Sequence, residues 1–197
     1  MLKRFLYIIS AASIIIAAHA CGKGSDNGSQ QKPTVAVSIA PIGNLVECIC
    51  GDDYDVVTLL DRGANPETFD PAMSKRAAAE KSDIYLMLDA FPFEKSIAGK
   101  REGAVDVTAG VKRLYGTHSH HDEEECHHEA DPHIWTSAKN MKIIARNIGE
   151  AIMKYNPKNS EIYKSRLDSI IAAIDSLDNA LTERLGYGTH KAFAIWH

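Results

Sequence analysis

From Pro33 to Thr108 short β-branched runs alternate with short helical stretches, and this alternation constrains the fold more than any other feature of the chain. TVAVSIA (residues 34–40) is β-branched and bounded by prolines, which predicts a strand. PIGNLVECIC (41–50) opens with a proline suited to a first helical turn and stops at Gly51, which predicts a helix. DVVTLL (55–60), DIYLML (83–88) and AVDVT (104–108) predict three further strands. Between them lie a short helix over AMSKRAAAEKS (72–82) and a turn or two of helix over FEKSIAG (93–99). Strands spaced by helices imply an α/β fold, a four-stranded and mostly parallel sheet covered on both faces. In such sheets ligands bind in the loops beyond the carboxyl ends of the strands. GANPETF (63–69) follows the second strand and a histidine-rich stretch follows the fourth, so both project from the same edge. That edge is the expected site.

The texture then turns helical. In residues 137–157 Met141, Ile144, Ile148, Ile152 and Tyr155 recur at spacings of three or four, and Pro157 ends the run. In residues 159–186 Tyr163, Leu167, Ile170, Ile174, Leu177 and Leu181 follow a stricter 4-3-4-3-4 rule up to Gly186. A helix of about 25 residues would span roughly 37 Å, either as half of a hairpin packed on the sheet or as a strut between two lobes. HKAFAIWH (190–197) reads as the start of another buried strand.

The stretch GTHSHHDEEECHHEADPHIW (116–135) gathers six of the chain's nine histidines, a cysteine and six acids. Imidazole and thiolate suit borderline cations such as Zn²⁺, and carboxylates add attraction with less selectivity. His118, His120, His121, Cys126, His127 and His128 lie in a tract with no hydrophobic anchor, fit to gather ions weakly at high local concentration. DPHIWTS differs: Pro132 stiffens the approach, Ile134 and Trp135 offer buried anchors, and Thr136 or Ser137 can cap the next helix. His133 therefore sits on a defined backbone, as a specific ligand requires. Affinity for metal should fall as pH drops through about 6.5, because protons compete for imidazole. The formal charge of −4 argues against a nucleic-acid binder, which would show a basic face.

The N-terminus carries Lys3 and Arg4, a fourteen-residue apolar run over 5–18, and small residues before Cys21. The run is too short for a membrane span and reads as a signal segment. A cysteine in that place resembles the lipobox of bacterial lipoproteins, whose thiol is lipidated after cleavage. The Gly/Ser-rich stretch after it has the composition of a flexible tether. Of the other cysteines, Cys48 and Cys50 are too close for an easy bridge and are expected to be buried.

GANPETFDP, the His-rich acidic insert, DPHIWTS, the long helix and FAIWH occur in that order, and together they resemble the ZnuA/TroA-like metal-binding solute receptors of ABC importers (cluster A-I). The resemblance spans 33–197, with DPHIW after a His-rich tract its most specific element. It implies two βα lobes joined by a long helix, metal held between them, and ligands at His133 and His197. A histidine at that last position, where manganese-type members carry a carboxylate, points to zinc, with manganese as the alternative. The family's first ligand is usually a histidine in the loop that here reads PETFDP, where Glu67 takes its place and would supply oxygen. The family runs on for roughly a hundred residues more, so the chain is read as the front part of a longer frame. The implied plan is a lipoprotein signal over 1–21, a tether over 22–33, and an N-terminal lobe over 34–137 with the His-rich loop at 116–130. A helical hairpin or linking helix over 138–187 and the first strand of a second lobe over 188–197 complete it.

The expected function is capture of Zn²⁺ outside the cytoplasm by a monomeric, membrane-anchored lipoprotein that serves an ABC permease and its ATPase. Two other classes stay open: a surface metal buffer or adhesin-like lipoprotein working through the loop alone, and a zinc hydrolase. The last lacks an H-E-x-x-H pattern and a nucleophile elbow.

Overall fold

Val35, Ala36, Val37, Tyr85 and Leu86 have no exposed surface, and they form the two central strands of the sheet. A strand covered on both faces has no polar side to alternate with, which is why these segments read as unbroken apolar runs. The computed structural model describes residues 32–61, 63–65, 68–115 and 130–186. Four strands, β1 (Thr34–Val37), β2 (Asp55–Thr58), β3 (Ile84–Met87) and β4 (Ala104–Asp106), form one sheet in the order β2-β1-β3-β4. Every pairing is parallel, with Val35 opposite both Val56 and Ile84, and Leu86 opposite Val105. The chain goes from β1 to one neighbour and then returns to the other side for β3. The crevice where the order reverses therefore lies between the ends of β1 and β3.

The helices follow from their apolar faces and their stops. Helix α1 (Ala40–Cys50) buries Ile42, Leu45, Val46 and Ile49. It begins one residue earlier than expected, because the chain already bends at Ser38 and Ile39, and Pro41 still falls in the first turn. It stops at Gly51, whose φ of 62° and ψ of −132° exclude a side chain. Cys50 is buried and Cys48 is exposed, which corrects the expectation that both are buried. Two residues along a helix are about 200° of rotation, so the pair faces opposite ways. Helices α2 (Met73–Lys81) and α3 (Pro92–Ala98) complete the crossovers.

Helix α4 (Ala138–Tyr155) buries Ile144, Ala145, Ile148 and Ile152, and α5 (Ser160–Gly186) returns along it. They meet at Gly149, where an added Cβ would stand 2.6 Å from Leu167 Cδ2. The start of α5 is tied to the sheet's amino-terminal end: Tyr163 Oη and Asn159 Nδ2 donate to Asp53 Oδ2 at 2.6 and 2.8 Å. Those two bonds hold the Asp53 carboxyl below its ordinary range. Only Tyr163 and Leu167 of the regular α5 stripe are buried; Leu177, Leu181 and Leu185 are 56%, 45% and 68% exposed. The near half of α5 thus behaves as half of a packed hairpin, and the far half stands clear of the described core. No described helix is long and apolar enough to cross a membrane.

Candidate metal centre

Among the described residues the carboxyl edge of the sheet holds one residue expected to ligate metal, His133. Asp131 and Pro132 set its backbone. The Asp131 main-chain N–H donates to Leu114 O at 2.8 Å, and Tyr115 and Ala130 form an antiparallel bridge beside it. The residues that flank the His-rich insert are therefore paired with each other. Ser137 then caps α4 by accepting from Asn140 N, and Ile134 is 5% exposed, as the sequence predicted for this turn. Thr136 Oγ1 donates instead to His133 O at 2.8 Å, locking the turn from within.

One oxygen, Asp131 Oδ1, takes both the main-chain N–H of His133 at 2.9 Å and its ring Nδ1 at 2.8 Å. An ionised carboxylate can only accept, so in the neutral ring this contact puts the proton on Nδ1 and leaves Nε2 as the lone-pair nitrogen. A carboxylate behind a histidine in this way fixes the ring's direction and increases its donor strength. Asp131 was legible in the sequence only as one of six acids. The signal that sets it apart is its place two residues before His133, where an Asp side chain reaches the main-chain N–H of a turn.

The histidine is also seated on a row of rings. His133 lies 5.2 Å from Trp135, Trp135 6.0 Å from Phe91, and Phe91 stacks on Phe93 at 5.6 Å with 9° between planes. Phe93 meets Phe69 edge-on at 6.3 Å. The row starts at His133 and ends two residues past Glu67, so it links the two loops expected to face the metal. Its middle is held by Glu94, fully buried and reading in sequence as an ordinary helix-surface acid. Glu94 accepts from the main-chain N–H of Leu88 at 2.8 Å, Ala90 at 2.8 Å and Phe91 at 3.0 Å, and from the Ser38 hydroxyl. These four donors satisfy the buried carboxyl, which ties the end of β1 to the loop after β3. Beside it a cleft of about 530 Å³ is lined by Asp89, Phe91, Lys95, Arg113 and Pro132.

Glu67, His197, the accessory residues His118, His120, His121, Cys126, His127 and His128, and Cys21 lie outside the described residues. Among the described residues no group of three or more His, Cys, Asp or Glu could hold a metal ion. A complete coordination shell would therefore draw on residues beyond that set.

The family model of the zinc-uptake complex component A, periplasmic, matches residues 35–197. The chain belongs to this family. It is 24% identical over its whole length to the zinc-binding protein AdcA of Streptococcus pyogenes serotype M3, of which it covers 42%. It is 26% identical, over 98% of its length, to the high-affinity zinc uptake system protein ZnuA of Bacillus subtilis, of which it covers 64%. The chain thus spans about two fifths of the streptococcal relative and just under two thirds of the other. A crystal structure of ZnuA superposes with a TM-score of 0.72 at 26% identity, covering 84% of this chain and 65% of that one. The α/β architecture read from the strand–helix alternation and the resemblance read from DPHIW are both borne out.

Proposed function

We propose that this chain captures Zn²⁺ outside the cytoplasm and hands it to an ABC permease and its ATPase. The observation that carries the reading is the Asp131–His133 pair, an imidazole aimed by a carboxylate on a rigid turn at the carboxyl edge of a parallel sheet. Relatives named for zinc binding and zinc uptake support the choice of metal. The proposed ligands are Glu67, His133 and His197, with His118, His120, His121, Cys126, His127 and His128 gathering further ions near them. Zinc is cargo in this reading, and no reaction is catalysed. Residues 1–21 act as a lipoprotein signal, Cys21 carries the lipid, residues 22–33 form the tether, and the receptor works as a monomer. Residues 34–137 form the metal-facing lobe, 138–187 the link, and 188–197 the first strand of a second lobe.

Zinc titration against a competing chelator tests this. Replacing His133 with Ala should abolish the tight site. Deleting residues 116–129 should leave that site and remove only the weaker equivalents. If the deletion abolishes tight binding and the His133 variant retains it, the chain is a loop-centred metal buffer. Manganese titrated in the same way should bind more weakly than zinc, because imidazole donors favour zinc.

A further inference from the structure

The cleft beside the Glu94 network is lined by two cations, Lys95 and Arg113, and one acid, Asp89, with Phe91, Pro92 and Pro132 as apolar walls. Two cations against one acid leave a net positive lining, in a chain whose formal charge is −4. Its volume of about 530 Å³ falls within the roughly 300–1,000 Å³ that small-molecule sites occupy. Two cations would repel a further metal ion. They suit an anion.

Arg113 is fixed in place by part of its guanidinium only. Its Nη2 donates to Leu88 O at 2.8 Å and to Thr108 Oγ1 at 3.2 Å, just past the ends of β3 and β4. The Thr108 hydroxyl donates its own hydrogen to Asp106 Oδ1 at 2.6 Å, so it accepts from the arginine. The N–H groups on Nη1 and Nε have no partner among the described residues. A guanidinium held rigid with donors to spare is prepared for a carboxylate, and such charged hydrogen bonds are among the stronger ones.

Lys95 supplies the second cation. Its Nζ stands 3.0 Å from Asp89 Oδ1, and its side chain is 75% exposed, so ammonium N–H bonds remain for another acceptor. Asp89, which sets the ammonium's place, has a φ of 48°, a left-handed conformation that Asp tolerates better than most residues. The small net charge and the apolar walls match a carboxylate on a carbon skeleton. A phosphate brings more charge and no carbon. Pro132 lines the cleft and precedes His133, so the cleft adjoins the turn that aims the imidazole.

We propose that this cleft is a subsite for the carboxylate of a small organic acid, held by Arg113 and Lys95, and that acid and zinc each strengthen the binding of the other. An anion near a divalent cation is favoured by Coulomb attraction, and the enhancement is necessarily mutual. The acid site stands on the cleft alone. Its coupling to metal rests on the zinc-capture reading above.

Calorimetric titration of the full chain with succinate, metal-free and zinc-loaded, tests this. Succinate should bind the metal-free chain, and the zinc-loaded chain about five- to tenfold more tightly. Succinamide, its neutral counterpart, should not bind. K95M, at an exposed position, should weaken succinate binding about threefold, and R113M about tenfold. Melting curves of both variants separate a lost site from a lost fold, and K95M decides if R113M does not fold. The absence of succinate binding, or full affinity in K95M, would overturn the proposal. Phosphate bound as tightly as succinate would do the same, and so would a succinate affinity that zinc leaves unchanged. If zinc does not bind at all, the metal-free titrations still decide the acid site, and only the coupling falls with the zinc reading.

Discussion

Replacing Asp131 with Asn isolates what the carboxylate does for His133. Asn is nearly isosteric and keeps an oxygen for the main-chain N–H of His133, which Asp131 Oδ1 receives at 2.9 Å. What it loses is the charge behind the ring contact at 2.8 Å. A hydrogen bond to a charged group contributes about 1.5–3 kcal/mol and a neutral one about 0.5–1.5, so the difference is about 1–1.5 kcal/mol. Asp131 is 48% exposed, which favours the lower figure through solvent screening. The expected result is zinc binding weakened about five- to tenfold in D131N. D131A, which removes the main-chain bond as well, should weaken it further. The assay is competition with a chromophoric chelator at neutral pH, paired with thermal melting of the metal-free protein. Melting should barely move in D131N, since the change lies at a half-exposed side chain. Zinc binding by D131N as tight as that of the parent chain would refute the reasoning, because it would mean that His133 does not depend on this contact to donate.

Two further predictions concern the amino-terminal end of the sheet. The folded Asp53 carboxyl is held below its ordinary range by Tyr163 and Asn159, so their bonds stabilise the fold above the ordinary carboxylate range and the gain is lost as pH falls through the folded value. Acid melting should show D53N unfolding at a lower temperature than the parent at pH 6, with the gap closing below about pH 4; a gap that persists at low pH would contradict it. Burial pushes the Cys50 thiol up to about 12, while Cys48 is exposed. Alkylation at pH 8 followed by peptide mass analysis should label Cys48 rapidly and leave Cys50 largely unmodified until the protein unfolds.

The sequence made some of this legible for a definable reason. Central parallel strands are covered twice, so Val35 to Val37 and Ile84 to Leu86 announce themselves as apolar runs. DPHIW was readable because a proline, two anchors and a cap residue in five or six positions restrict a backbone locally. What stayed hidden depends on partners distant in sequence. Glu94 looks like a surface acid until the main chain of 88–91 and Ser38 close around it. Lys75 looks like a solvated lysine until the end of β2 lies beneath it. The 4-3-4 stripe of α5 shows the converse limit, since periodicity marks an apolar face without saying what covers it: Tyr163 is buried and Leu177 is 56% exposed.

The ring row has an optical consequence. Trp135 is one of two tryptophans, and its indole lies 5.2 Å from the imidazole of His133. A divalent ion on that imidazole would put positive charge on a ring that packs directly against the indole. The intrinsic emission of Trp135 should therefore change on zinc loading without any attached dye. With Trp196 replaced by Phe, the chain would carry a single tryptophan beside its proposed ligand, and occupancy could be followed in real time in a stopped-flow cell.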